Sequence, residues 1–337
     1  MLIALEINTT VLIVILVAVI IALLAGFYIF VYLMTTDKIY HKVFDRRKPM
    51  PQVDRSPRDI DQSTITGRGL AWFYTNRMEF LNVRIRAFDG TSLCAYYRPS
   101  ADRQTRNCVI LVHGYNEHPA NMACYARLLM SKMQCHVLIV HQRAHHMSGG
   151  KISTYGLMES VDLEYWIRFM KRRSGPGARI YLMGRSMGAV TCLLAAAQKD
   201  IDPAVCGVIA DCPGDTLMNV LKVSGEKRYK RDCTSYLRRV RHLGQKRLNI
   251  DIARCDVVQM ADKIRVPVLI FQCGDDNITP PRMQEEVFDS LRCPKRMIMV
   301  EHAKHMEAYE KQPAMYEREI TRFIETCVIR LVKMGMM

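Results

Sequence analysis

The feature that most constrains this chain is a series of short, continuously apolar, β-rich runs separated by helix-periodic segments. They are CVILVHG from Cys108, HVLIVHQR from His136, RIYLMGRS from Arg179, VCGVIADC from Val205, VPVLIFQC from Val266 and KRMIMVEH from Lys295. Apolar runs without alternation read as strands covered on both faces, as in a parallel sheet. Segments such as Asn121 to Met133 and Met158 to Lys171 have helical periodicity and lie between them. The order strand, helix, strand predicts an α/β class, doubly wound, with helices on both faces of a mostly parallel sheet. Ahead of these runs, EFLNVRIRAF and SLCAYYRP alternate around Asp89-Gly90, which predicts an opening antiparallel hairpin. About 50 residues separate Cys212 from Val266, too many for an ordinary strand-to-helix connection, so an inserted cap is expected at about 213–262.

The N-terminus carries a different signal. Val11 to Met34 runs 24 residues without a charge, long enough as a helix, at about 36 Å, to cross a hydrocarbon core of about 30 Å. The run exceeds a secretory h-region and no Lys or Arg precedes it, so a retained single span in the bilayer is expected in place of a cleaved leader. Only Glu6 and the amino terminus lie before it, whereas Lys38, Lys42, Arg46, Arg47 and Lys48 follow, and this asymmetry places the rest of the chain in the cytoplasm. The expected organisation is therefore an anchor over 1–36, a basic polar linker along the membrane surface over 37–68, and a catalytic domain over 69–337.

Charge and cysteine usage narrow the options further. With 48 Lys and Arg against 33 Asp and Glu, the formal net charge is +15. More than half of that excess falls between Lys222 and Arg247, interleaved with Tyr229, Tyr236, Leu237, Val240 and Leu243. A basic amphipathic cap beside a membrane span suits anionic lipid, with a merely solvated cap as the plain alternative. No recognised nucleic-acid-binding module accompanies the charge. The 12 cysteines stand singly, mostly within apolar runs and without a CxxC pair, as buried reduced thiols do.

Gly184-Arg185-Ser186-Met187-Gly188 follows one predicted strand and precedes the helix-forming AVTCLLAAAQ. Strand, GxSxG and helix in this order define a nucleophile elbow, in which glycines permit a sharp turn that lifts the serine hydroxyl above the sheet. A serine hydroxyl needs a base to take its proton, and a histidine oriented by a carboxylate is the usual arrangement.

LVHGYNEH at 111–118, HQRAHHMSGG at 141–150, GRSMGA at 184–189, IADCP at 209–213, GDDNITP at 274–280 and AKHMEAY at 303–309 occur in the order and spacing of α/β-hydrolases. The chain resembles bacterial single-span members related to serine aminopeptidases and prolyl-oligopeptidase-like esterases, over about Trp72 to Glu325. The resemblance implies Ser186 as nucleophile, His305 of the AxH motif as base, and Asp276, four residues before Pro280, as acid. Asp275 and Asp211 stay open as acids, and His302 as a second histidine. It also implies backbone N–H groups of Tyr115 and Met187 as oxyanion donors.

Three positions depart from the family. His141 and His146 stand where relatives usually have aspartate and glycine, and Arg185 fills an elbow position that is often apolar. His141, His145 and His146 lack an accompanying Cys or carboxylate, so structural roles are expected of them and no metal or cofactor is implied. Arg185 is expected in a surface salt bridge, with an anionic substrate group as the sharper alternative. The implied activity is acyl-enzyme hydrolysis of a carboxylic ester carrying a lipid-like or small acyl group. A peptidase or thioesterase of the same fold, and a tethered binding protein without turnover, are the alternatives, because a triad specifies acyl transfer and not the leaving group.

Overall fold

A computed structural model of the 337-residue chain describes residues 9–46, 56–333 and 335. One sheet runs in the order β1-β2-β4-β3-β5-β6-β7-β8. Its strands are β1 (Leu81–Arg86), β2 (Ser92–Arg98), β3 (Asn107–Val112), β4 (His136–His141), β5 (Arg179–Arg185), β6 (Val205–Asp211), β7 (Val268–Cys273) and β8 (Lys295–Val300). β1 and β2 pair antiparallel across the Asp89-Gly90 turn, where Gly90 takes φ 78°, and β2 lies antiparallel on β4. Every other pairing is parallel.

Period-two alternation sorts each central strand between two cores. Ile110, Leu138, Val140 and Leu182 pack with Trp166 and Leu193 on one face. Val109, Leu111, Ile139, Tyr181 and Met183 pack with Leu129, Tyr316 and Phe323 on the other. Both faces are apolar because both are covered, which is why these strands read as unbroken hydrophobic runs.

Helix α1 spans Thr9–Phe44 and α2 spans Ile65–Thr75. The apolar length of α1 stands clear of the body, with Leu23 68% and Leu24 64% exposed, as a candidate transmembrane span. Its last turns differ from the expected surface linker over 37–68. The helix continues to Phe44, and Thr36, Tyr40 and Phe44 are buried, with Ile39 and Val43 packed against the same core. Positions 39, 40, 43 and 44 form an apolar stripe at helical spacing inside an otherwise polar stretch, and that stripe docks. Beyond it, Arg46 N–H donates to Lys151 O at 2.7 Å and Ser153 N–H to Phe44 O at 3.0 Å. Glu6, Arg47 and Lys48, used for the orientation, lie outside the described residues, as does the middle of the expected linker.

α3 (Ala123–Met133), α4 (Leu157–Ser174) and α5 (Met187–Ala196) follow β3, β4 and β5. Between β6 and β7 the chain leaves the sheet as α6 (Leu217–Tyr229) and α7 (Thr234–Leu248), followed by short helical turns to Lys263. α7 buries Leu237, Val240 and Leu243. It lies against α1: Tyr32 Oη–H donates to Ser235 O at 2.8 Å, Arg247 pairs with Asp37, and the Arg247 guanidinium sits 4.8 Å from the Tyr40 ring centre.

Candidate active site

Ser186 occupies the junction of β5 and α5 with φ 52° and ψ −122°, a strained conformation for a side chain with a Cβ. Its N–H donates to Asp211 O at 2.8 Å, which ties the turn to the neighbouring strand end. The flanking glycines are sterically required. A Cβ on Gly184 would lie 2.1 Å from Gly188 O, and one on Gly188 would lie 2.1 Å from Val112 O.

The loop after β8 brings His305 above the sheet. His305 Nδ1 lies 2.6 Å from Asp276 Oδ2 and Nε2 lies 2.8 Å from Ser186 Oγ. A carboxylate can only accept, so Nδ1 carries the proton and Nε2 is left to accept from the serine hydroxyl. The Asp276 side chain is fully buried, and its Oδ1 accepts N–H groups of Ile278 and Thr279, each at 2.9 Å. Burial pushes the Asp276 carboxyl upward, but the bond to His305 and the backbone donors outweigh it, leaving the group below its ordinary value. Thr279 Oγ1 lies 2.9 Å from Asp276 Oδ2 and 3.2 Å from His305 Nδ1, so it holds both partners. Sequence reading did not single out Thr279; its place three residues after Asp276, in the turn that wraps the carboxylate, is the available signal.

The other candidate acids are elsewhere. Asp275 is exposed and lies 3.8 Å from an equally surface-lying His302. Asp211 is fully buried at the end of β6, where its Oδ2 accepts Tyr125 Oη–H at 3.2 Å and Tyr316 Oη–H at 2.9 Å. Burial raises its pKa in spite of those donors.

Met187 begins α5, so its N–H is one of the four donors a helix leaves without an intrahelical partner. The Tyr115 loop approaches from β3: a Cβ on Gly114 would stand 3.4 Å from Ser186 Cβ. Its shape is fixed by Glu117, whose Oε2 accepts Gly114 N–H at 2.8 Å. Arg185 donates through Nε to the same Oε2 at 2.8 Å and pairs through Nη2 with Oε1. This corrects the expectation of a surface bridge, since Arg185 is 5% exposed and lies beneath the site. Burial would raise Glu117, but the guanidinium beside it holds the carboxyl below its usual range. Glu117 was not identified from sequence, because its partner 68 residues away is visible only once β3 and β5 are neighbours.

The histidines are structural in their surroundings. His113 donates from Nδ1 to Gly114 O at 2.7 Å and accepts Gln142 N–H at Nε2, 3.2 Å away; burial depresses its pKa to about 3, so it is neutral. His141 is buried edge-on against Tyr96, and His146 Nε2 lies 3.0 Å from Tyr96 Oη. Among the described residues, only two groups place three ligand atoms together: Asp211, Cys212 and Cys273, and Cys212, Asp276 and His305. Burial holds the Cys212 thiol well above its ordinary pKa, which keeps it protonated and a poor metal ligand. His305 Nδ1 in the second group is already committed to Asp276.

An antiparallel β1-β2 pair leading a parallel sheet, an elbow serine after β5, and an acid and histidine after β7 and β8 together define the α/β-hydrolase architecture. The chain has the α/β-hydrolase fold, and two stretches of it match family profiles of hydrolases. Residues 103–220 match the profile of the serine aminopeptidase family, S33, and residues 173–326 that of acetyl xylan esterases. The uncharacterized protein YqkD of Bacillus subtilis is 29% identical over 67% of this chain and 73% of its own length. Among solved structures, the Pyrococcus furiosus esterase Pf2001 superposes with a TM-score of 0.60 at 19% identity, covering 83% of this chain and 99% of that one. An acetyl xylan esterase from Paenibacillus sp. R4 superposes with a TM-score of 0.56 at 18% identity, covering 73% and 83%.

Proposed function

We propose that this protein is a membrane-tethered serine hydrolase that cleaves carboxylic esters through an acyl-enzyme, with Ser186 as nucleophile, His305 as base and Asp276 as acid. The single observation that carries this reading is the unbroken relay at 2.8 and 2.6 Å from Ser186 Oγ through His305 to Asp276 Oδ2. Ser186 Oγ attacks the ester carbonyl carbon as His305 Nε2 takes the hydroxyl proton, and the ionised Asp276 stabilises the imidazolium. The carbonyl oxygen becomes an oxyanion met by the N–H groups of Met187 and Tyr115. His305 then returns the proton to the leaving alkoxide, and water repeats the sequence to release the acid. None of these steps draws on a cofactor.

α1 is read as a retained anchor, with the catalytic domain in the cytoplasm. Its docked last turns, and the 12 cysteines that all carry free thiols, support that reading. The basic cap beside α1 would meet anionic lipid. A peptidase reading is favoured by one observation, the match of residues 103–220 to serine aminopeptidases.

The test is covalent labelling of the full-length protein with a fluorophosphonate, together with turnover of 4-nitrophenyl esters of rising acyl length and of aminoacyl anilides. Wild type should label and cleave esters, and Ser186→Ala should lose both, with a rate loss on the order of 10³-fold or more. Folded wild type that does not label would overturn the serine mechanism. Anilide turnover exceeding ester turnover would select the peptidase.

A further inference from the structure

A cavity of about 610 Å³ opens beside the Tyr115 loop, and one of its walls is the anchor helix itself. α1 contributes Ile39, Lys42 and Val43, Arg46 follows it, and Leu221, Tyr236 and Leu237 face them from the cap. Tyr115 and Asn116 also line it, directly after Gly114, on which a Cβ would stand 3.4 Å from Ser186 Cβ. The volume is that of an ordinary small-molecule site.

The lining separates into two chemistries. Leu221, Leu237, Ile39, Val43 and the rings of Tyr155 and Tyr236 give an apolar path. Lys42, Arg46, Lys227 and Arg228 give four cations, and among the described residues no carboxylate belongs to the lining. Arg46 is the most telling of these. Its guanidinium sits 4.0 Å from the Tyr115 ring centre, and its Nε and Nη2 are buried without a hydrogen-bond partner among the described residues. A buried guanidinium nitrogen without an acceptor is costly, and an anion placed against it relieves that cost. Tyr115 Oη–H meanwhile donates to Lys42 O at 3.1 Å and Val43 O at 2.8 Å, so the loop that offers the oxyanion donor is fastened to the end of α1.

The cavity also adjoins the expected bilayer. Tyr236, in its lining, lies 5.1 Å ring to ring from Tyr32, within the last turn of the uncharged segment. We infer that this cavity receives an anionic single-chain lipid ester from the bilayer along α1, with its acyl chain on the apolar wall and its negative head between Arg46, Lys42 and the cap cations. The inference rests on the serine-hydrolase reading above and specifies its substrate class. The anchor is then a working wall of the substrate site as well as a tether.

The experiment uses full-length protein in phosphatidylcholine nanodiscs and compares four substrates. Oleoyl lysophosphatidylglycerol and oleoyl lysophosphatidylcholine differ in headgroup charge, and the hexanoyl lysolipids with the same two headgroups form a matching soluble pair. We expect kcat/KM to favour the anionic lysolipid about tenfold, the size of one charge-assisted hydrogen bond. Arg46→Gln and Lys42→Gln should each cut that preference several-fold, mainly through KM, and Arg46→Lys should restore most of it. Fluorophosphonate labelling of Ser186 is followed in every sample. Labelled wild type with equal rates on the two lysolipids, or a preference untouched by Arg46→Gln and Lys42→Gln, overturns the anionic site while leaving the hydrolase reading standing. Anionic preference confined to the soluble pair overturns the bilayer route. Unlabelled wild type removes the hydrolase reading and this inference with it.

Discussion

Arg185, beside Ser186 in the turn between β5 and α5, holds Glu117 of the neighbouring loop in a buried ion pair, and Glu117 in turn accepts the Gly114 N–H at 2.8 Å. The pair fixes the distance between the serine turn and the loop that carries Tyr115. Removing one member of a buried pair leaves an uncompensated charge, at a cost of about 3–5 kcal/mol. Arg185→Met should therefore lower the urea midpoint sharply. The double change Arg185→Met with Glu117→Gln should recover a substantial part, because no lone carboxylate remains. A double variant no more stable than Arg185→Met would show that the pair's charges are not what matters.

The two buried aspartates should separate by what they damage. Asp276→Asn should reduce kcat by on the order of 10⁴ with the fold intact, since the neutral amide no longer fixes the His305 tautomer. Asp211→Ala leaves the hydroxyls of Tyr125 and Tyr316 without their shared acceptor, at about 1–3 kcal/mol for each buried group left unpaired. Its main effect should appear in thermal unfolding. Asp275→Ala should change neither measurement appreciably. A kinetic loss at Asp211 larger than at Asp276 would reverse the assignment of the acid.

The depressed Asp276 carboxyl has a consequence for acid stability. Its folded pKa lies below the ordinary 3.8, so its contribution to stability is complete above that value and is lost as pH falls through the folded value. The difference in unfolding free energy between wild type and Asp276→Asn should stay level from pH 7 to 5 and shrink below about pH 4. A difference that already shrinks between pH 7 and 6 would show that the Asp276 carboxylate is not its source.

Gly188 and Gly90 should respond to alanine very differently. A Cβ on Gly188 would meet the carbonyl oxygens of Val112 and His113 at 2.1 and 2.7 Å, both backbone atoms that cannot yield. Gly188→Ala should abolish folding or cost more than about 4 kcal/mol. Gly90 has φ 78° but open space around it, so Gly90→Ala carries only the left-handed backbone cost of about 1–2 kcal/mol. Thermal unfolding followed by tryptophan fluorescence distinguishes them.

Phe44 is fully buried at the end of α1 and belongs to the core of the hydrolase domain. Phe44→Ala should destabilise that domain by about 3–5 kcal/mol. Were the end of α1 a mere surface linker, the same change would be almost silent in urea unfolding.

Local pattern by itself determined the strand order in the chain, the α/β class, the hairpin at Asp89-Gly90, the strand-turn-helix at Ser186 and the long insertion after Cys212. Each of these depends on periodicity, turn chemistry or hydrophobic run length, which are properties of neighbouring residues. Only the tertiary structure decided which aspartate faces His305, because Asp275 and Asp276 are adjacent in sequence and differ only in the side of the β7 loop on which they emerge. It also decided that Arg185 is buried against Glu117 and that the last turns of α1 enter the core and wall a cavity. Those outcomes join residues 29 to 210 positions apart. Such contacts are set by how the sheet orders its strands and where α1 docks; the stripe at 39, 40, 43 and 44 records an apolar face but not what that face packs against.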